Sequence, residues 1–181
     1  MRNESPDIFS HGFRVAAFAD LLGRGLQLSE RELENLRRGC FLHDVGKVMM
    51  PDGILAKPQP LNEKERKTLE LHAVLGDLIV SGISGLDPSI AKTVRSHHER
   101  WDGTGYPDRL RGEDIPLYAR ICRIADAFDH MLQEIAIHTN SREVLIEARS
   151  RLKQGCAKQF DENLVTVFLN IPDDKLGVYS G

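Results

Sequence analysis

Residues 96–107 read SHHERWDGTGYP, and this stretch places two adjacent histidines directly before a glycine-built loop. On an α-helix, adjacent side chains project about 100° apart, so two neighbouring imidazoles rarely serve one packing role. His97 and His98 can instead serve two neighbouring acceptors, such as two metal ions. The stretch therefore predicts a metal site whose remaining ligands come from elsewhere in the chain.

The length and composition of the chain indicate a single globular domain. It has 181 residues, of which 41% are hydrophobic and 28% charged. A domain of this size, with a core from about residue 8 to about residue 170, can fold without disulfides or a structural metal. Any metal site is therefore expected to be functional. The first motif lies so near residue 1 that the domain is also compatible with having been cut from a longer regulatory chain.

Charge and apolar patterning argue against several classes of partner. With a formal net charge of −3, nothing indicates binding to DNA or to an anionic membrane surface. No signal peptide and no long apolar run is visible, so secretion and membrane spanning are not expected. The three cysteines are odd in number and lie outside CxxC spacing, which indicates reduced thiols and a cytoplasmic protein.

Helical signals recur along the sequence, whereas no β-type alternation persists. Capping boxes formed by Ser29 with Glu32 and by Asn62 with Glu65 predict two helix starts. Residues 46–61 and 101–116 contain the prolines and glycines typical of loops, and long loops in compact domains are usually functional. The sequence therefore predicts an all-α bundle of about seven helices, with histidines close to both long loops.

Further imidazole and carboxylate groups stand at helix ends and on helix faces. His43 and Asp44 end the second predicted helix, His72 lies in a later one, and His11 shares a helix face with Asp7. Together these groups suit first-row metals such as iron, manganese or zinc. Taken singly, a histidine near a helix end is more often a capping or surface residue.

Carboxylates in the sequence RIADAFDHM have competing interpretations. Asp126 lies among apolar residues and must be paired, because unpaired burial costs several kcal/mol. Asp129 is compatible with a solvated position on the flank, and Asp7 with a favourable charge at a helix N-terminus. No motif supports His130 or His138, which are expected at the surface.

The combination of Asp44 with histidines on either side predicts a hydrolytic centre. One aspartate can bridge two cations with its two oxygens, and a water held between the cations becomes hydroxide near neutral pH. Such a hydroxide is a nucleophile for phosphorus. Lys47 follows three residues after Asp44 and is placed to bind a phosphate oxygen. The alternative is a solvated lysine near the end of a helix.

Five segments together resemble the HD-GYP family, a bacterial branch of the HD phosphohydrolase superfamily, in order and in spacing. They are HGFRVA at His11, FLHDVGKVMMPDGILAKPQPL at 41–61, ELH at His72, HHERWDGTGYP at 97–107 and ARICRIADAFD at 119–129. The resemblance implies an all-helical domain that holds two metal ions, sometimes three, with iron or manganese usual and Asp44 as the bridge. The implied ligands are His11, His43, Asp44, His72, His97, His98 and Asp126, with Asp7 near the place of an extra carboxylate ligand.

The resemblance also implies an activity and a partner. Members of the family hydrolyse cyclic di-GMP to pGpG and, in some cases, on to GMP. The loop is linked to substrate access and to docking of diguanylate cyclase domains, and its matching residues are Gly103, Gly105, Tyr106 and Pro107. Tyr106 is suited to stacking on a base, and the alternative is a rigid turn with Tyr106 packed on the core.

After Asp129 the sequence leaves the family pattern. Ile135 stands where an arginine is expected and His138 where a lysine is expected, and those basic residues grip substrate phosphates. Losing one arginine–phosphate contact removes about 1.5–3 kcal/mol, or roughly tenfold to a hundredfold in affinity. Near the loop, Arg100, Arg109 and Arg111 are candidate substitutes.

Three functions therefore remain in view. The first is a cyclic di-GMP phosphodiesterase, slowed by the missing basic residues. The second is a metal-dependent phosphohydrolase of another nucleotide. The third is a signalling module without meaningful turnover that binds a nucleotide or a diguanylate cyclase partner. The complete set of metal ligands and Lys47 favour an enzyme, whereas the altered segment after Asp129 favours the other two.

Overall fold

The structure is a computed structural model that describes residues 5–57, 60–136 and 141–176, and of residues 5–8 and 141–142 only the backbone. Within these ranges the chain forms eight α-helices and no β-strand, which confirms the predicted all-α class. In chain order they are α1 (Ser5–Gly25), α2 (Glu30–Leu42), α3 (Asp52–Leu55), α4 (Glu63–Ser81), α5 (Pro88–Ser96), α6 (Leu117–Ala136), α7 (Ser141–Gln154) and α8 (Glu162–Leu169).

Side-chain caps set the helix starts that the sequence predicts. The Ser29 hydroxyl accepts from the Glu32 backbone N–H and the Glu32 carboxylate accepts from that of Ser29, so α2 begins with a complete capping box. Asn62 and Glu65 form the same arrangement at α4. Asp87 caps α5 by accepting from the backbone N–H two residues on. Each cap satisfies backbone donors that the first turn of a helix leaves unpaired.

The first predicted loop is more ordered than the sequence suggests. Val45–Met49 form a 3-10 helix and Asp52–Leu55 form α3, which adds one α-helix to the expected seven or so. A four-residue helix is too short to produce a recognisable apolar period. The second predicted loop is irregular apart from the 3-10 helix Gly112–Asp114. None of the described helices is long and apolar enough to cross a membrane.

Helix α6 runs through the centre of the fold and packs against α1, α2, α5, α7 and α8. Its Phe128 is buried with its ring edge-on to Phe18 of α1 and to Phe168 of α8, at centroid distances of 5.1 and 4.9 Å. Asp126 lies half a turn away on the same helix. The hydrophobic core therefore fixes the helix that carries this carboxylate toward α1 and the end of α2.

Candidate metal centre

His43 and Asp44 stand where α2 gives way to the 3-10 helix, and both are buried. The Nδ1 atom of His43 lies 2.6 Å from the carbonyl oxygen of Cys40. A carbonyl can only accept, so Nδ1 carries a hydrogen and the other ring nitrogen, Nε2, faces the interior. Nε2 lies 3.4 Å from Oδ2 of Asp44. The end of α2 therefore presents an imidazole nitrogen and a carboxylate to one buried space.

Two further histidines are oriented in the same way. Nδ1 of His72 lies 2.6 Å from the carbonyl oxygen of Leu69, and Nδ1 of His97 lies 2.7 Å from that of Val94. Backbone carbonyls three residues earlier thus fix both tautomers, and carbonyl partners of this kind are typical of histidines that bind metal through the other nitrogen. The Nε2 atoms of all the centre's histidines converge on a common interior space.

The converging nitrogens lie too close together for neutral imidazoles without a shared partner. The Nε2–Nε2 distance is 3.3 Å for His72 and His97, 3.1 Å for His72 and His98, and 3.3 Å for His11 and His43. Two lone pairs that face each other at these distances repel unless a proton or a cation lies beside them. The donor set therefore fits a metal ion.

The adjacent histidines His97 and His98 converge on one group of ligands. Helix α5 ends at Ser96 and His97 is its C-cap, so His98 lies beyond the helix and the helical separation of 100° does not apply. Their ring centroids are 4.0 Å apart. The two imidazoles therefore contribute to the same group, which also contains His72 and Asp44.

In both buried aspartates at the centre, the oxygen Oδ1 faces imidazole nitrogens rather than solvent. Oδ1 of Asp44 is inaccessible to solvent and has no hydrogen-bond partner among the described residues. Oδ1 of Asp126 is equally inaccessible and lies 2.9 Å from Nδ1 of His130 and 3.2 Å from Nε2 of His11. A buried, unsatisfied carboxylate oxygen costs several kcal/mol, and cation coordination is one way to satisfy it. Within the part of the chain that the structure describes, three groups have ligand atoms close enough to hold an ion. They are Asp44 with His72, His97 and His98; His11 with His43 and Asp44; and His11 with Asp126 and His130.

Asp129 supports the centre from behind His11. Its carboxylate is buried, lies 2.8 Å from Nδ1 of His11 and receives two hydrogen bonds from Arg14, at 2.6 and 2.9 Å. The interpretation of Asp129 as a solvated residue is therefore wrong. The sequence missed this contact because it joins residues of α1 and α6 that lie 118 positions apart. A carboxylate behind a metal-binding histidine fixes the ring and raises its basicity.

Replacing Asp129 with asparagine should weaken metal binding by about tenfold to a hundredfold. Asparagine keeps the size of the side chain but removes the charge that holds His11 and Arg14. The affinity for manganese can be measured by competition with a chelator. Asp173→Asn is the control, because Asp173 is exposed and pairs with Arg149 at 2.7 Å, away from the centre. Equal affinity in the Asp129 variant and the wild type would show that His11 needs no carboxylate behind it.

The ionisation of the centre divides its histidines into two sets. Burial lowers the pKa of His72, lowers that of His97 to about 3, and lowers that of His98 well below its ordinary value. Burial also acts to lower the pKa of His43, but the charge and hydrogen bond of Asp44 outweigh it and raise that pKa to about 9. The three imidazoles whose pKa is lowered are therefore neutral at pH 7, and the neutral form is the one that binds metal. His43, in contrast, holds a proton that a cation would displace.

The carboxylate of Asp44 is ionised. Burial is the largest single influence and acts to raise its pKa, but His43 and Lys47 together hold the pKa well below its usual range. The ammonium of Lys47 lies 2.5 Å from Oδ2 of Asp44. Lys47 thus reaches the centre itself, which argues against the alternative of a solvated lysine near a helix end.

The glycine loop folds back on the end of α5. A Cβ atom on Gly105 would lie 2.4 Å from the backbone nitrogen of Arg100, so only glycine fits there. The buried carboxylate of Glu99 accepts from the backbone N–H of Asp108 at 2.7 Å and holds the far side of the loop. Gly103 has a φ of +79°.

Tyr106 lies over the histidine group, and the cis-bonded Pro107 follows it. Its ring stacks on that of His98 at a centroid distance of 4.7 Å and an interplanar angle of 27°. A cavity of about 800 Å³ opens beside these two rings. Five cationic side chains line it: Arg66, Lys67, Arg100, Arg109 and Arg123. The loop therefore forms one wall of an electropositive cavity next to the centre.

Four further residues that the sequence singled out have different outcomes in the structure. The side chain of Asp7 and the whole of His138 lie outside them. Ile135 is buried in the main hydrophobic core, so its position does not face the cavity. His130 is exposed as expected, yet its Nδ1 atom lies 2.9 Å from Oδ1 of Asp126. Its spacing of four residues from Asp126 on α6 was the signal that could have revealed this contact.

Comparison with known proteins finds a family model and curated phosphodiesterases that are similar to this chain. The family model described as "HD domain" matches residues 1–164. The chain is 34% identical over 170 residues to "3'3'-cGAMP-specific phosphodiesterase 2" of Vibrio cholerae, covering 93% of this chain and 32% of that protein. It is 41% identical over 120 residues to "Cyclic di-GMP phosphodiesterase response regulator RpfG" of Xanthomonas campestris, covering 66% of this chain and 32% of that one.

A solved structure shares the fold. "Bd1817, a HDG"Y"P protein from Bdellovibrio bacteriovorus" superposes with a TM-score of 0.69 at 20% identity, covering 93% of this chain and 53% of that one. At this identity the likeness concerns the fold alone. The chain spans about a third of the length of the two curated relatives.

Proposed function

Because this chain belongs to the HD domain family, we propose that it is a metal-dependent phosphodiesterase that hydrolyses cyclic di-GMP to pGpG, GMP or both. The observation that carries the proposal is the position of Asp44, an ionised and buried carboxylate that belongs to two groups of candidate metal ligands. One of its oxygens has no hydrogen-bond partner among the residues that the structure describes. An arrangement of this kind is costly for the fold alone and is what a pair of cations requires.

The proposed ions are iron or manganese, both of which accept imidazole and carboxylate ligands. Asp44, His72, His97 and His98 would hold one ion, and His11, His43 and Asp44 the other, with Asp126 beside His11 at 3.2 Å. When bound, such cations supply a water acidic enough to give a nucleophile at neutral pH and positive charge for a phosphate oxygen. Lys47 adds a further positive charge at the same place.

A third ion would take Asp126 and His130 as its ligands, because His11, the other member of that group, has Nδ1 at Asp129 and only Nε2 free to bind one ion. In the His130→Ala variant we expect the manganese content after dialysis to fall by about one ion per chain, because this group alone contains His130. The His11→Ala variant should instead lose the ion that His11 would hold with His43 and Asp44, because the one free nitrogen of His11 can bind a single ion. Elemental analysis of both variants measures the difference. A His130 variant with the wild-type metal content would remove the third ion from the proposal.

The cavity supports a cyclic dinucleotide as the substrate. Its volume of about 800 Å³ lies within the range of sites for molecules of this size, and its cationic lining suits phosphates. Tyr106 offers an aromatic ring at the cavity wall for a base. These features support the nucleotide class, and the names of the relatives leave both cyclic di-GMP and cyclic GMP-AMP as substrates to be compared.

A single assay tests the proposal against its alternatives. The protein is purified without air, loaded with iron or manganese, and incubated with cyclic di-GMP and with cyclic GMP-AMP while the linear products are separated by chromatography. Formation of pGpG that requires metal supports the proposal. Turnover of another nucleotide alone supports a different phosphohydrolase. Tight binding without turnover supports a signalling module, for which docking of a diguanylate cyclase domain on the glycine loop is the next test.

A further inference from the structure

Arg123 stands between the metal ligands and the cavity. It lies on α6 one turn before Asp126, and its Nη1 atom is 3.9 Å from Oδ2 of that carboxylate. Its Nη2 atom donates to Oε1 of Gln159 at 2.9 Å, which anchors the guanidinium from one side. Its Nε atom is buried and has no hydrogen-bond partner among the described residues. A buried donor without a partner is uncommon and calls for an explanation.

Three of the other four cations of the cavity wall pair with acidic groups. Arg66 pairs with Glu70 one turn along α4. Lys67 pairs with Glu63 at 2.9 Å, also on α4. Both cations are largely exposed, so their charges are screened by water.

Arg100, on the loop side of the cavity, pairs with Asp102 at 3.0 Å and also donates to the Thr104 hydroxyl at 2.8 Å. Arg123 differs from these side chains in two respects. Its side chain is only 19% exposed, and the carboxylate that it faces, that of Asp126, lies 3.9 Å away and is a candidate metal ligand. Arg109, the remaining cation of the wall, is exposed on the loop. Among the five cations, Arg123 therefore has a charge that is shielded from water and close to the metal ligands, where it can meet a phosphate that enters from the cavity.

We propose that Arg123 and the adjoining cavity form a phosphate subsite that anchors the cyclic dinucleotide beside the metal centre. The subsite rests on the proposed function. From the N-terminal half of α6 it supplies a phosphate contact in place of the basic residues that Ile135 and His138 replace. A guanidinium presents its donors in a planar fork that matches two phosphate oxygens. Gln159 anchors Nη2 of this fork, and the side chain of Arg123 also lines the cavity.

The test replaces Arg123 with glutamine in the manganese-loaded protein. We expect KM for cyclic di-GMP to rise by about tenfold to a hundredfold, because a charge-assisted contact is lost. The metal content and melting temperature should stay at their wild-type values, which a merely structural role for Arg123 would not allow. Arg38→Gln is the matched control, since Arg38 is half-exposed on α2 and pairs with Glu34 of the same helix. An unchanged KM in the Arg123 variant would overturn the subsite.

A second variant and a second measurement keep the test decisive. If Arg123→Gln is unstable, Arg123→Lys keeps the charge and most of the stem but loses the fork, and KM should still rise severalfold. An unchanged KM in the lysine variant would also overturn the subsite. If the wild type proves unable to hydrolyse cyclic dinucleotides, equilibrium dialysis with labelled cyclic di-GMP separates the two proposals. Binding that is lost in Arg123→Gln supports the subsite alone, whereas equal binding in both proteins, or none in either, refutes it.

Discussion

Replacing Asp44 with asparagine should lower turnover of a cyclic dinucleotide by at least about a thousandfold and strip most of the bound metal. A neutral amide offers one oxygen where the carboxylate offers two, and its N–H groups would face imidazole nitrogens and cations. Metal charge stabilises a phosphoryl transition state by several kcal/mol, and a loss of about 4 kcal/mol corresponds to a thousandfold in rate. Among the described residues, Asp44 alone belongs to both of the main ligand groups.

Initial rates, metal content by elemental analysis and the far-ultraviolet circular dichroism spectrum together measure this effect. The helical signal should persist, because the hydrophobic core of α1, α6 and α8 contains no part of the centre. His43→Ala should behave in the same way. Asp52→Asn is the matched control, since Asp52 is an exposed aspartate at the start of α3. An Asp44→Asn protein that keeps its metal and its full rate would refute the dinuclear mechanism.

Local signals in the sequence were enough to predict most of the helices. Capping boxes at α2 and α4, together with apolar residues at helical spacing, act over a few positions and can be recognised without tertiary structure. The convergence of His11, His43 and His72 is different in kind. These residues lie on separate helices, and only the resemblance to a family, with motifs in a fixed order, predicted that they share one space.

The contacts that the sequence could not predict are those made between helices by residues without a motif. Asp129 behind His11 and Arg123 beside the cavity both face inward from α6, yet polar residues on a helix are more often solvated. Which of several carboxylates and guanidinium groups turns inward depends on the rotation of α6 against α1 and α5. That rotation is set by the packing of Phe128 and its neighbours, and the sequence alone does not specify it.

Replacing Gly46 with alanine should destabilise the protein by about 3 kcal/mol or more and disorganise the metal centre. Gly46 is buried between Asp44 and Lys47 in the 3-10 helix. A Cβ atom at this position would lie 2.0 Å from the carbonyl oxygen of His72 and 2.5 Å from the backbone nitrogen of Gly76. Both neighbours are backbone atoms of α4, so no side-chain rotation can relieve the overlap. Either the 3-10 helix or α4 must shift.

Such a shift separates the two halves of one ligand group, because Asp44 moves with the 3-10 helix and His72 with α4. We therefore expect a melting temperature lower by roughly 6–12 °C for a domain of this size, together with weaker metal binding. Gly53→Ala is the matched control. Gly53 lies in α3 with nothing within 4 Å of its would-be Cβ, and alanine there should leave stability unchanged or raise it by up to about 1 kcal/mol through helix propensity. Calorimetry on the two variants decides the matter. If Gly46→Ala melts at the same temperature as the wild type, the close contact between the 3-10 helix Val45–Met49 and α4 is not what positions Asp44 against His72.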